Sequence, residues 1–204
     1  GGLVLVNDQP ISSVEIPMDM LKAIHQFNTE NNLNVHLSLY YNNEWYVPQT
    51  DFWAQREENN TKVSPQIKSN AEVIEKWTTE HKAPHKIMAM GEPEKIDEIS
   101  EFLSKNYNDE LHFYRSNKNY LEIANKKISK FSAIEYLLAH HFNISKEDTI
   151  AFGDNYNDVE MIGGVGMGIA VANARQEVLD VSTAVTANAK EDGVAQSLQK
   201  LFSL

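Results

Sequence analysis

Thr149-Ile150-Ala151-Phe152-Gly153-Asp154-Asn155-Tyr156-Asn157-Asp158 is the stretch whose reading decides the fold. Thr149 to Phe152 is a short apolar run with a β-branched start, the pattern of a buried parallel strand. Gly153 then lets the backbone turn, or approach a ligand, with no Cβ in the way. Asp154, Asn157 and Asp158 follow at once, and Val159, Met161 and Ile162 predict a short helix behind them. Ligands of open α/β sheets sit outside the carboxyl ends of the strands. Two carboxylates and an amide in that place suit a hard cation such as Mg²⁺, which takes oxygen ligands and a partner phosphate. The same residues also read as a helix N-cap and a turn. A calcium-binding EF-hand is excluded, because counting from Asp154 puts Tyr156 at the third ligand position and Val159 where the obligatory Gly belongs.

Outward from this stretch, strand and helix alternate. Ser129 caps a helix through about Phe142, with Ile134, Leu137 and Leu138 as its inner face. Downstream come a glycine-rich turn (Gly163, Gly164, Gly166, Gly168), a strand over 168–172, a helix over 174–181, a short strand near 183–186 and a final amphipathic helix from about Gly193. That alternation predicts a parallel, doubly wound α/β sheet. Before Ser129 the pattern differs. A hairpin (strands to Val6 and over 11–16, turn at residues 7–10) precedes a helix from Pro17 to about Asn31 and a half-buried strand over 33–40, in which Leu33, Val35, Leu37 and Leu39 alternate with Asn34, His36 and Ser38. A second hairpin partner over 44–47, a polar helix from Thr50 or Asp51, helices near 70–81 and 93–106 and strands near 85–90, 110–115 and 120–124 complete an α+β module. A chain that opens inside a strand, without Met, reads as a fragment or a trimmed product.

The 204 residues carry 18 basic and 29 acidic side chains, a formal charge of −11, which argues against nucleic-acid or anionic-membrane binding through bulk electrostatics. A small phosphorylated substrate is compatible with that charge, since a few local cations and a metal hold one. With no cysteine, disulfides, zinc thiolates and thiol nucleophiles are excluded. No apolar run has the length of a membrane span and no signal peptide is present, so the expected location is cytoplasmic.

Several other groups are candidates for chemistry. Lys126-Lys127-Ile128-Ser129-Lys130 leads into the helix before the key strand, where a Lys counters a phosphate as a point charge. Lys190-Glu191-Asp192-Gly193 is a polar turn into the last helix. Gly163–Gly168 lacks the Gly-x-x-x-x-Gly-Lys-Ser/Thr spacing of a phosphate-cradling loop, and its glycines serve a tight turn. His81 and His85 have helical spacing, but Pro84 between them ends any shared helix. Tyr40, Trp45, Tyr46 and Trp53 are candidates either for a pocket or for the core.

Gly153-Asp154-Asn155-Tyr156-Asn157-Asp158 resembles the Gly-Asp-x-x-Asn-Asp signature of the haloacid dehalogenase (HAD) superfamily, specifically its Cof-like phosphatases. Matches in the family's order support it: Glu122-Ile123 with Ile128-Ser129-Lys130, the strand and turn over Ala170–Asn173, Glu191-Asp192-Gly193-Val194-Ala195, and Gly1-Gly2-Leu3 against an Asn-Gly-Ala hairpin. The resemblance implies a Rossmann-like core over residues 1–15 and 125–204 and an inserted α+β cap over 16–124. It implies hydrolysis of small phosphate monoesters through an aspartyl-phosphate, with Asp154 on Mg²⁺, Lys130 on nucleophile and phosphate, Asn157 on phosphate, and Asp158 and Gly153 in support. The family's Asp-x-Asp-Gly-Thr and the Ser/Thr of its second motif are not among these residues. Hence the parent protein is expected to be the enzyme and the 204 residues alone inactive. A non-catalytic phosphate-ligand module and a sugar phosphomutase are the alternatives. Substrate and oligomeric state are not readable.

Overall fold

The computed structural model describes residues 2–203, so Gly1 of the Gly1-Gly2-Leu3 match lies outside the described residues. The chain divides into two compact units, one over Gly2–Lys127 and one from Ile128 onward.

The first unit opens with β1 (Leu3–Val6) and β2 (Gln9–Ser13), paired antiparallel with Val6 opposite Gln9. The turn is therefore two residues, Asn7 and Asp8, both at positive φ, the geometry that matches hairpin twist. The expected longer turn and later second strand are corrected accordingly. Pro10 sits within β2, next to a register irregularity in β1 at Val4/Leu5, where an edge tolerates the missing N–H.

α1 (Met18–Glu30) buries Met20, Leu21, Ile24 and Asn28. Asn28 behaves as a short strand partner. Its Nδ2 donates to the Val35 carbonyl (2.8 Å) and its Oδ1 accepts the Val35 N–H (3.0 Å). β3 (His36–Tyr41), β4 (Glu44–Val47), α2 (Phe52–Thr61), β5 (Gln66–Ile67), α3 (Asn70–Thr79), β6 (Lys86–Met90), α4 (Pro93–Tyr107), β7 (Leu111–Asn117) and β8 (Tyr120–Asn125) follow. Gln66–Ile67 makes a two-residue parallel pairing with β4. The six-stranded sheet has the order β5-β4-β3-β6-β8-β7. Leu37, Leu39, Ile87, Ala89, Leu121 and Ile123 pack with Leu21, Ile24, Trp77, Ile96, Ile99 and Leu103 into one apolar core. Tyr46 joins this core, while Trp45 packs with Val47 and Ala54 in a separate cluster.

β3 departs from the expected half-buried pattern, for His36 and Ser38 are 3% and 0% exposed. Their face of the sheet is covered, for Met88 and Met90 opposite them pack with Tyr120 and with Trp53 of α2, and Asp51, the N-cap of α2, satisfies the buried histidine. Asp51 Oδ2 lies 2.8 Å from His36 Nδ1, and His36 Nε2 lies 3.0 Å from Ser38 Oγ. Each polar atom keeps a partner, so burial leaves none of them orphaned. The Asp–His–Ser connectivity is that of a hydrolytic triad, but a serine with no exposed surface meets no substrate. The chain of bonds fastens α2 to the sheet.

The second unit begins with α5 (Lys130–Leu137), continued by a wider helical turn over Leu138–Phe142. β9 (Ile150–Gly153), α6 (Val159–Gly164), β10 (Met167–Val171), α7 (Gln176–Val181), β11 (Ala184–Thr186) and α8 (Gly193–Phe202) then alternate. The sheet is parallel, in the order β11-β10-β9. Ala151, Ile162, Val165, Ala170 and Val178 form its core. β9 has no partner on its second edge among the described residues. Two expectations fail for that reason: Ile150 is 38% exposed, and Ile134, Leu137 and Leu138 are half-buried instead of forming a buried face. Gly168 is required where β10 passes α6, since a Cβ there would collide with the Ile162 carbonyl.

Candidate active site

The carboxyl ends of the three parallel strands carry three loops. The first leaves β9 at Gly153 and doubles back at once. A Cβ on Gly153 would lie 2.6 Å from Asp158 Cβ and 2.9 Å from Ile162 Cγ1, so only glycine admits the turn. Asn155 Oδ1 accepts the Tyr156 N–H (2.9 Å), and the Asp158 N–H donates to the Asn155 carbonyl (2.8 Å), closing a 3₁₀ turn over Tyr156–Asp158.

Asp158 is the structural centre of that turn. Its side chain is 4% exposed. Oδ2 accepts the N–H groups of Asp154 (3.0 Å) and Asn155 (3.2 Å), and Oδ1 accepts from Lys130 Nζ at 2.5 Å. Burial pushes the carboxyl pKa up, but the Lys130 ammonium and the two amide donors outweigh it and hold the group below the usual carboxylate value. Lys130 comes from the first turn of α5, which starts where Ser129 and Ser132 cap each other, Ser129 Oγ accepting the Ser132 N–H (3.1 Å) and Ser132 Oγ the Ser129 N–H (2.8 Å). The capping box thus sets which residue of α5 reaches the loop. Lys126 of the same lysine cluster belongs to the other unit and donates to the Asn108 carbonyl (3.0 Å).

Asp154 stands in a different environment, one step past the strand end. It is exposed, and its carboxylate makes no hydrogen bond or ion pair among the described residues. Its carbonyl accepts the Arg175 N–H (2.9 Å), which ties the first loop to the one after β10. Asn157 is half-buried and its amide is likewise unengaged among the described residues. Asn173 Oδ1 accepts the Ala189 N–H (2.9 Å), linking the second loop to the third. There Asn188 Oδ1 accepts the Lys190 N–H (2.9 Å), and Asp192 at φ 56° leads into α8.

Lys130, Gly153, Asp154, Asn157 and Asp158 are therefore together. The sequence reading missed Arg175, whose guanidinium lies 5.4 Å from the centre of the Tyr156 ring. Its signal was a cation two residues past Asn173 on the neighbouring loop. Among the described residues no group of three or more His, Asp or Glu side chains forms a metal cage. Mg²⁺ is commonly held by one or two carboxylates with water and substrate phosphate. Asp154, free and oxygen-bearing, fits one such position, whereas Asp158 is committed to Lys130 and the backbone.

Residues 1–198 match the model of the haloacid dehalogenase-like hydrolases. The chain belongs to that family. A Haemophilus influenzae protein classed by name among phosphatases is 36% identical over 205 residues, covering 99% of this chain and 74% of its own length. The HMP-PP phosphatase of Yersinia enterocolitica is 32% identical over 116 residues, 58% of this chain and 44% of that protein. A HAD/Cof-like hydrolase from Plasmodium vivax superimposes with a TM-score of 0.86 at 21% identity, over 100% of this chain and 70% of its own. A HAD subclass IIB sugar phosphatase gives 0.80 at 21% identity, over 100% and 74%. The HAD chain thus has the Rossmann-like α/β core with an α+β domain of these structures, and spans about three quarters of the Haemophilus relative's length. No helix among the described residues is long and apolar enough to cross a membrane.

Proposed function

We propose that this HAD chain is the larger part of a Mg²⁺-dependent phosphatase that cleaves small phosphorylated metabolites of the cytoplasm through an aspartyl-phosphate. The supporting observation is the pairing of a free Asp154 with the Lys130–Asp158 clamp on one turn at the carboxyl end of β9. In this reading Asp154 holds the metal, which when bound neutralises charge on the phosphate. Lys130, oriented by Asp158, places its ammonium beside the phosphate, and the Asn157 amide donates to one of its oxygens. Positioning and positive charge supply most of the catalysis of phosphoryl transfer.

The attacking carboxylate is not among the 204 residues, which hold no Asp-x-Asp-Gly-Thr. Supplied from outside them, it forms a bond to phosphorus as the ester P–O bond breaks and the leaving oxygen takes a proton. Water then cleaves the acyl phosphate to inorganic phosphate. Residues 1–15 and 125–204 act as core in this scheme, and 16–124 as the cap that selects the leaving group. A p-nitrophenyl phosphate assay tests it. The 204-residue chain should show no turnover, and the full-length gene product Mg²⁺-dependent turnover that Asp154→Asn lowers at least roughly tenfold, as loss of a site's charge does. Turnover by the 204 residues alone would refute the nucleophile assignment.

A further inference from the structure

Arg175 has no part in the scheme above, yet it is built into the same rim. Its backbone N–H is bonded to the carbonyl of Asp154, so it moves with the free carboxylate. Its side chain is exposed and lies over Tyr156, the exposed aromatic of the acidic loop, at 5.4 Å. Lys130, the other cation at this loop, is taken up by Asp158. Arg175 makes no ion pair among the described residues, in a chain of net charge −11. A guanidinium resting on a ring face keeps its planar fork of donors outward, the geometry that matches carboxylate and phosphate oxygens in pairs.

We propose that Arg175 binds a second anionic group, carboxylate or phosphate, on the leaving part of the substrate, and that Tyr156 positions it. Building on the phosphatase reading, this makes the preferred substrates phosphate monoesters of acids, or bisphosphates, over phosphates of neutral polyols. A plain alcohol phosphate leaves the guanidinium unmatched.

The test is a ratio of kcat/KM values in the full-length protein with Mg²⁺. 3-Phosphoglycerate and fructose 1,6-bisphosphate are each compared with glycerol 3-phosphate, and the two anionic arms separate carboxylate from phosphate recognition. Wild type should favour at least one anionic substrate. Arg175→Ala should lower that ratio by roughly 10- to 100-fold, the effect of losing a charged hydrogen bond, chiefly through KM. Arg175→Lys should keep part of the preference, because charge remains while the fork is lost. Tyr156→Leu should lower the ratio less than Arg175→Ala, with the melting temperature checked to show that the loop stays folded. A wild-type ratio at or below one, or a ratio unmoved by Arg175→Ala in an active enzyme, overturns the inference. A wild type that hydrolyses none of the three, nor an aryl phosphate, overturns the phosphatase reading and this inference with it.

Discussion

Asp158→Asn is the substitution that most directly tests how the loop is held. The wild-type carboxylate accepts three hydrogen bonds while nearly buried: one from Lys130 at 2.5 Å and two from consecutive amides. Asparagine keeps one oxygen for the amides but turns an NH₂ toward the ammonium, donor against donor. Breaking a fully buried pair costs about 3–5 kcal/mol. Lys130 is 46% exposed, so solvent relieves part of that, and about 2–3 kcal/mol is the expected loss. All three tryptophans, Trp45, Trp53 and Trp77, lie in the other unit, so their fluorescence serves as an internal control. Hydrogen exchange by mass spectrometry should show faster exchange across 154–162, while tryptophan-monitored urea unfolding of the first unit keeps its midpoint. The effect also has a sign in pH. Because the folded carboxyl pKa is depressed, Asp158 contributes fully above its unfolded value near 3.8, and the contribution disappears as pH falls through the folded value. The wild-type–variant difference should therefore shrink in acid. Equal protection of 154–162 in both proteins at neutral pH would refute the reasoning.

Three further outcomes are expected. Asn28→Ala orphans the buried amide and carbonyl of Val35 and should destabilise the first unit by about 1–3 kcal/mol, read from tryptophan-monitored urea midpoints; an unchanged midpoint counts against the clamp. His85 Nδ1 accepts the Asn42 N–H (3.0 Å), so the ring is neutral with Nε2–H donating to Ser13 Oγ (2.8 Å). Burial lowers its pKa below 6.5, hence this stability is complete above that value and declines as pH drops beneath it; His85→Gln should flatten the decline, and an equally steep profile would exclude His85 as its source. Gly153→Ala forces its new methyl into Asp158 and Ile162 and should cost about 1–3 kcal/mol, read as faster hydrogen exchange across 154–162; exchange equal to wild type would show that the turn has room.

The second unit was legible because its signals are local. A β-branched apolar run, a glycine and an acidic turn give a strand end wherever they occur, and Asp154, Asn157, Asp158 and Lys130 converge as their motif order suggested. What stayed hidden depends on partners distant in sequence. His36 and Ser38 read as a solvent face because the alternation of β3 cannot show that Trp53 and Tyr120, distant in sequence, cover that face, nor that Asp51 partners His36. Lys126, Lys127 and Lys130 are alike in charge and only the family resemblance marked the third, while the Ser129–Ser132 cap is what brings it to the loop. Arg175 was overlooked for the same reason, since its position two residues past Asn173 does not reveal the backbone bond that ties it to Asp154.

The two carboxylates of the loop differ in how far the protein already satisfies them, and the proposed metal position rests on that difference. Asp158 has its negative charge matched three times over by groups of the protein, and its depressed pKa reports that match. A cation arriving there would have to displace Lys130 and strip two amides of their acceptor. Asp154, four residues earlier, spends its backbone on holding the rim and leaves its carboxylate in water. A hard ion with several waters of its own loses little by joining it. If the roles were reversed, Asp154→Asn would loosen the loop and Asp158→Asn would weaken Mg²⁺ affinity. The proposed assignment predicts the opposite, with exchange protection following Asp158 and metal affinity following Asp154.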